Sequence, residues 1–116
     1  MSNVISKQKR LKVARLKGWK CWYCGLQLNE ESLNIDHLHP RKLGGGHEYE
    51  NLVPSCRTCN TAKGVKSIDE YRMYESLKNS EYGITITTRQ YVELSSRGLI
   101  SKAPEMHEFY FETIGD

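Results

Sequence analysis

Two Cys-x-x-Cys pairs constrain this chain more than any other feature. They are Cys21/Cys24 and Cys56/Cys59, and they account for all four cysteines. Each sits in a knuckle-like context, Cys-Trp-Tyr-Cys-Gly and Cys-Arg-Thr-Cys-Asn. Two such pairs across a domain-sized loop read as one tetrahedral zinc site with four sulfur ligands. Two disulfides are the alternative, and they need an oxidising compartment. The charged N-terminus (Lys7, Lys9, Arg10, Lys12) lacks the apolar run of a secretory signal, so reduced thiols in a cytoplasm, bacterial or phage-infected, are expected. A thioredoxin-like redox motif would use one pair at a helix start and leave the other unexplained. The loop from Cys24 to Cys56 is long for a small zinc finger, so further structure must be built inside it.

With 116 residues the chain suits a single domain, residues 1–116. Its hydrophobic fraction of 38% and mean hydropathy of −0.64 leave a thin apolar core. Metal binding would add to folding free energy. No stretch is long and apolar enough to predict a membrane span.

The net charge of +3 is unevenly spread. Residues 1–66 carry 12 Lys and Arg against 5 Asp and Glu, whereas residues 67–116 carry 5 against 9. The first twenty residues hold seven positive side chains and no acid. A basic half that also contains the metal motifs suits a polyanion partner. A solvated helix face is the plainer account of the N-terminal run alone.

Three regions follow from the pattern. Residues 1–18 read as a basic helix, over about 4–17, ended by Gly18. Residues 19–66 read as knuckle, strand (Leu33 to His37), flexible loop around Gly44-Gly45-Gly46, short strand (Leu52-Val53-Pro54) and helix. That helix runs from about Cys56 to Lys63, capped by Ser55 and stopped by Gly64. Residues 67–116 read as a helical extension. Ser67-x-x-Glu70 fits a capping box opening a helix to about Lys78. Ile84 to Ile86 reads as a short strand or linker, Thr88 to Arg97 as a helix closed by Gly98, and Pro104 to about Glu112 as a last helix. Met106, Phe109 and Tyr110 are available to pack on the core or on a second copy, which would make a homodimer.

Asp36-His37 ends the first strand. Asp36 can bind a hard divalent ion through oxygen. His37 points to the other face and can act as a general base near neutral pH. A surface pair without consequence is the plain alternative. His39 and His47 in the same loop are alternative ligands or merely exposed. Asn60 and Lys63 sit on a backbone that the second knuckle fixes, a rigid support for a ligand. Asn51 can hold the loop or orient the His37 ring, or simply form a turn.

Together, Cys-Trp-Tyr-Cys-Gly, Ile-Asp-His-Leu-His-Pro and Glu-Asn-Leu-Val-Pro-Ser-Cys-Arg-Thr-Cys-Asn-Thr-Ala-Lys-Gly resemble the HNH endonucleases, also called ββα-metal nucleases. The resemblance spans about residues 19–64. One departure is visible: the third namesake position, often His, is Asn60, an accepted variant in related homing endonucleases and RNA-guided nucleases. An amide oxygen there favours Mg²⁺ or Mn²⁺ over zinc. The resemblance implies an α+β fold with a zinc-stabilised ββα-metal core. It implies that Asp36 and Asn60 bind one catalytic divalent ion, that His37 activates water and that Asn51 supports its loop. Cys21, Cys24, Cys56 and Cys59 would hold structural zinc. Candidate contacts to DNA are Arg41, Lys42, Arg57 and Lys63, with Lys9, Arg10 and Lys12 on the first helix. Hydrolysis would leave 5′-phosphate and 3′-hydroxyl ends. The rival readings are a zinc-stabilised DNA-binding module without activity, and an adaptor whose acidic C-terminal half is the working surface.

Overall fold

Ser6 starts the first helix: its hydroxyl accepts from the Lys9 amide at 3.2 Å, satisfying one of the unpaired donors of the first turn. In the computed structural model, which describes residues 5–83, 86–100 and 103–114, this helix is α1, Lys7–Leu16. Strands β1 (Asn34–His37) and β2 (Leu52–Ser55) follow, then helices α2 (Arg57–Lys63), α3 (Ile68–Lys78), α4 (Thr88–Ser96) and α5 (Tyr110–Thr113). The fold is therefore α+β, combining helices with one small two-stranded sheet among the described residues.

The strands pair antiparallel, with Asp36 opposite Val53 and His37 opposite Leu52. Alternation along β1 turns Asp36 into the interior and leaves His37 half-buried. Helix α2 begins immediately after β2. Its N-cap is Cys56, whose sulfur accepts from the Cys59 amide at 3.4 Å. The expected Ser55 cap is thus displaced by one residue, because the thiol occupies the capping position that a hydroxyl would otherwise fill. Gly64 closes the helix, as expected.

The described chain forms two compact units. Residues up to Ser67 and from Phe109 onward make the first, and Ile68–Glu108 make the second. Residues 67–116 are therefore not one helical extension. The last segment returns to the first knuckle, where the amides of Tyr110 and Phe111 donate to the carbonyls of Tyr23 and Trp22, each at 2.9 Å. Phe111 stacks on Trp22 at 5.9 Å, and Phe109 meets Tyr23 edge-on at 5.7 Å. Gly25 allows this approach, since a Cβ there would lie 2.8 Å from the Tyr110 ring. These tertiary bonds also explain why the expected helix from Pro104 shrinks to Tyr110–Thr113: the residues before it are irregular, and Met106 is exposed rather than packed. The core of the first unit is Val13 and Ala14 of α1, Cys21, Tyr23, Leu28, Leu33, Leu52, Val53 and Phe109.

In the second unit α3 buries Tyr71, Ser76 and Leu77. Helix α4 opens with a reciprocal capping box between Thr87 and Gln90, at 3.1 and 2.8 Å, and buries Tyr91. Gly98 follows α4 with φ +70°, in keeping with its expected role as a stop. The strand expected at Ile84 to Ile86 lies largely outside the described residues.

Candidate metal centre and active site

The two knuckles converge. Between Lys20 and Gln27 the first is a tight hairpin, with the Cys21 amide bonded to the Leu26 carbonyl at 2.8 Å and the Gly25 amide to the Cys21 carbonyl at 2.8 Å. It presents its sulfurs to those at the start of α2. All four cysteines are free thiols, and their sulfurs lie within 4.8 Å of one another. The Cys24 and Cys56 sulfurs are 3.8 Å apart. A tetrahedral zinc ion with bonds of about 2.3 Å has sulfur–sulfur edges of about 3.8 Å, whereas a disulfide needs about 2.05 Å. The donors therefore fit a metal ion such as zinc and not two disulfides. The thiols feel their crowding. Cys21 is drawn down to about 5, chiefly by its hydrogen bond with Cys59, and Cys24 is pushed up to about 11, chiefly by desolvation. Four adjacent sulfurs cannot all ionise unless a cation compensates them.

Asp36 has two partners on one oxygen. The Tyr23 hydroxyl donates to Oδ2, and the Lys63 ammonium lies 3.0 Å from the same atom. Lys63 also donates to the His37 carbonyl at 2.8 Å. Its side chain is 0% exposed and that of Asp36 10%. Lys63 was expected to contact phosphate. That expectation is corrected by its burial, which leaves the ammonium no path to a ligand in solvent. It instead ties α2 to both carboxylate and backbone of β1. Among the described residues Asp36 Oδ1 has no hydrogen-bond partner, and neither has the Asn60 amide. Asn60 lies one turn before Lys63 on α2, and positions three apart share a helix face. One carboxylate oxygen and one amide oxygen are thus available as hard ligands.

His37 follows Asp36 on the opposite face of β1. Its Nε2 lies 3.0 Å from Nδ1 of His47, whose Nε2 lies 2.7 Å from Nη1 of Arg41. Burial, then the neighbouring charge of His47, lowers the His37 pKa from its ordinary value. Both causes favour the neutral ring, the form a general base requires.

Asn51 fixes the loop that carries these rings. Its side chain accepts from the His39 amide at 2.8 Å and donates to the carbonyls of His39 and Gly46 at 3.0 and 2.9 Å. Gly45 is required beneath it, because a Cβ there would fall 1.7 Å from the His39 carbonyl oxygen. His39 itself is directed to the Leu43 carbonyl at 2.8 Å.

Most of the basic candidates lie outside. Arg41, Lys42, Arg57 and Lys12 are exposed. Lys9 and Lys12 flank the Tyr49 ring at 4.9 and 5.0 Å and line a groove with Arg15. Arg10 differs from expectation: its guanidinium is turned to the Leu33 carbonyl at 3.1 Å, so it fastens α1 to the approach of β1. Tyr23 and the link between His47 and His37 escaped the sequence reading. The aromatic inside a knuckle reads as packing, and only the folded loop brings His47 to His37.

The description "HNH endonuclease" belongs to the family model matching residues 21–66. Residues 21–66 match the HNH endonucleases. Two further similarities each cover about half of the chain. The CRISPR-associated endonuclease Cas9 of Actinomyces naeslundii is 34% identical over 55 residues, covering 47% of this chain and 5% of that protein. The Septu protein PtuB of Bacillus thuringiensis is 33% identical over 60 residues, covering 48% of this chain and 23% of that protein. The chain thus spans a small part of the relatives it matches. The crystal structure of the Type II-C Cas9 enzyme from Actinomyces naeslundii superposes with a TM-score of 0.53 over 83% of this chain and 11% of that one, at 21% identity, which establishes shared fold. The HNH segment supports a nuclease or nucleic-acid-related function. Among the described residues no helix is long and apolar enough to cross a membrane.

Two outcomes follow from this geometry. Replacing Lys63 with Met strands a buried carboxylate and should cost at least about 3 kcal/mol in urea unfolding. Adding Asp36→Asn to Lys63→Met should recover much of that loss; a double variant no more stable than the single one would contradict the pairing. Stripping metal from the reduced protein with a strong zinc chelator should abolish its cooperative unfolding transition, and added Zn²⁺ should restore it. Unchanged unfolding after the loss of bound metal would contradict a metal-held core.

Proposed function

We propose that the protein is a metal-dependent endonuclease that hydrolyses DNA phosphodiester bonds. The observation that carries this reading is a buried carboxylate with one oxygen engaged internally and the other unpartnered, adjacent in sequence to a half-buried histidine on the opposite face of β1. The family match supports the reaction class.

Asp36 and Asn60 would hold one divalent ion, Mg²⁺ or Mn²⁺. Bound there, such an ion would supply charge stabilisation to the reacting phosphate and its leaving group. His37 takes a proton from the attacking water. The products are a 5′-phosphate and a 3′-hydroxyl. Tyr23 and Lys63 keep the Asp36 carboxylate in one orientation, so little reorganisation accompanies binding of the ion. Asn51 holds the loop that carries the histidines. Zinc on the four cysteines is structural in this reading. Arg41, Lys42 and Arg57, with Lys9 and Lys12 of α1, supply positive charge for the backbone phosphates, and their contribution should weaken with added salt.

Incubation with supercoiled plasmid and Mg²⁺, Mn²⁺ or EDTA tests the proposal. Cleavage should need the divalent ion and fall by about 10²-fold or more in His37→Ala, with zinc content unchanged. Asn60→Ala should raise the Mg²⁺ concentration needed for half-maximal cleavage. Metal-independent retardation of DNA without cutting would identify a binding module instead, and neither cutting nor retardation would leave the adaptor reading.

A further inference from the structure

His47 is held as deliberately as the residues beside it. The Lys9 ammonium donates to its backbone carbonyl, and Asn51 donates to the preceding carbonyl, of Gly46, at 2.9 Å. Its ring lies between Arg41 and His37, at 2.7 and 3.0 Å. The direction of these bonds is fixed by chemistry. A guanidinium only donates, so His47 Nε2 must accept. A neutral His47 then carries its proton on Nδ1 and donates it to His37 Nε2. A neutral His37 in turn carries its own proton on Nδ1. In this arrangement one His37 nitrogen is protonated and the other is capped by a donor. Neither is free to take a proton from water.

Arg41 sits on an exposed 3₁₀ turn, Arg41–Leu43. A guanidinium binds phosphate by paired, charge-assisted bonds, stronger than one bond to a neutral imidazole. We propose that His47 is the positioning residue for His37, and that Arg41 holds the pair in a resting tautomer until a nucleic-acid phosphate draws the guanidinium away. This inference rests on the nuclease reading and deepens it.

The proton balance is simple. When Arg41 leaves, the proton between the rings moves from His47 Nδ1 to His37 Nε2. His37 Nδ1 releases one proton to solvent, and His47 Nε2 gains one. Net charge is unchanged. His47 Nδ1 now accepts from His37 Nε2, which orients the ring and frees the lone pair on His37 Nδ1. That nitrogen takes the water's proton as the water oxygen bonds to phosphorus. The bond from phosphorus to O3′ breaks, and the leaving oxygen is protonated from solvent.

The test uses ¹⁵N-labelled, zinc-loaded full chain at mildly alkaline pH, because ring-nitrogen shifts report which nitrogen bears the proton. The free protein should show His37 protonated at Nδ1. Arg41→Met, or wild type bound to a short DNA duplex without added Mg²⁺, should show it at Nε2. An Nε2–H tautomer in the free wild type, or no change in Arg41→Met, would overturn the proposal. Kinetics provide the second readout. His47→Leu should lower kcat by about 10²-fold with KM changed less than about twofold. His47→Asn, whose amide can still bond His37 Nε2, should recover at least about tenfold of that loss. Equal activity of the two variants, at matched zinc content and melting temperature, would show that His47 only fills space. Absence of metal-dependent cleavage by the wild type would overturn the nuclease reading, while the ring-nitrogen shifts would still decide whether Arg41 sets the tautomer.

Discussion

The first unit depends on the convergence of four sulfurs. Its hydrophobic core is small, and its sheet has two strands of four residues each. Such a sheet is marginal by itself in water. The cysteines join the hairpin of the first knuckle to the first turn of α2, two elements far apart in sequence. That junction sets the position of α2, and α2 carries both Asn60 and Lys63. A metal ion held there would contribute beyond stability: it would fix the helix that carries Asn60 and Lys63.

That centre is organised around one buried charge. Removing a carboxylate from water is costly unless it is paired and hydrogen-bonded. Asp36 meets the condition through Tyr23, from the knuckle, and Lys63, from α2. The zinc-type cluster and the candidate catalytic site are therefore mechanically continuous: Tyr23 lies between Cys21 and Cys24, and Lys63 lies one turn beyond Cys59 and Asn60. Lys63 additionally grips the His37 carbonyl, so one ammonium positions two successive residues of β1. A loop with its own brace, Asn51, brings His47 and Arg41 to the other face of the strand.

Much of this was legible in the sequence because the informative residues are local. Asp36 and His37 are adjacent, each cysteine pair is a four-residue motif, and Gly64 marks the end of α2. The helix and strand positions in the first unit follow from caps, stops and alternation. What was not legible depends on long-range contact. Lys63 lies in a basic, polar helix and reads as exposed; its burial arises only when β1 passes over it. Arg10 reads as part of a charged face, yet its long side chain reaches back to Leu33. The Pro104 helix failed because the amides of Tyr110 and Phe111 found carbonyls in the first knuckle, a tertiary preference that outweighs local propensity. His47 looked like one of several loop histidines, and only the folded backbone distinguishes it from His39.

The central claim is that the clamped scaffold brings Asp36 and Asn60 to one hard-cation site. Paramagnetic broadening by Mn²⁺, titrated into zinc-loaded, ¹⁵N-labelled protein, tests it most directly. The account predicts that the Asn60 side-chain amide and the backbone of Asp36 and His37 broaden first, at substoichiometric Mn²⁺, and that Asp36→Asn suppresses the effect. Uniform broadening over the acidic surface, with the Asn60 amide spared, would contradict it.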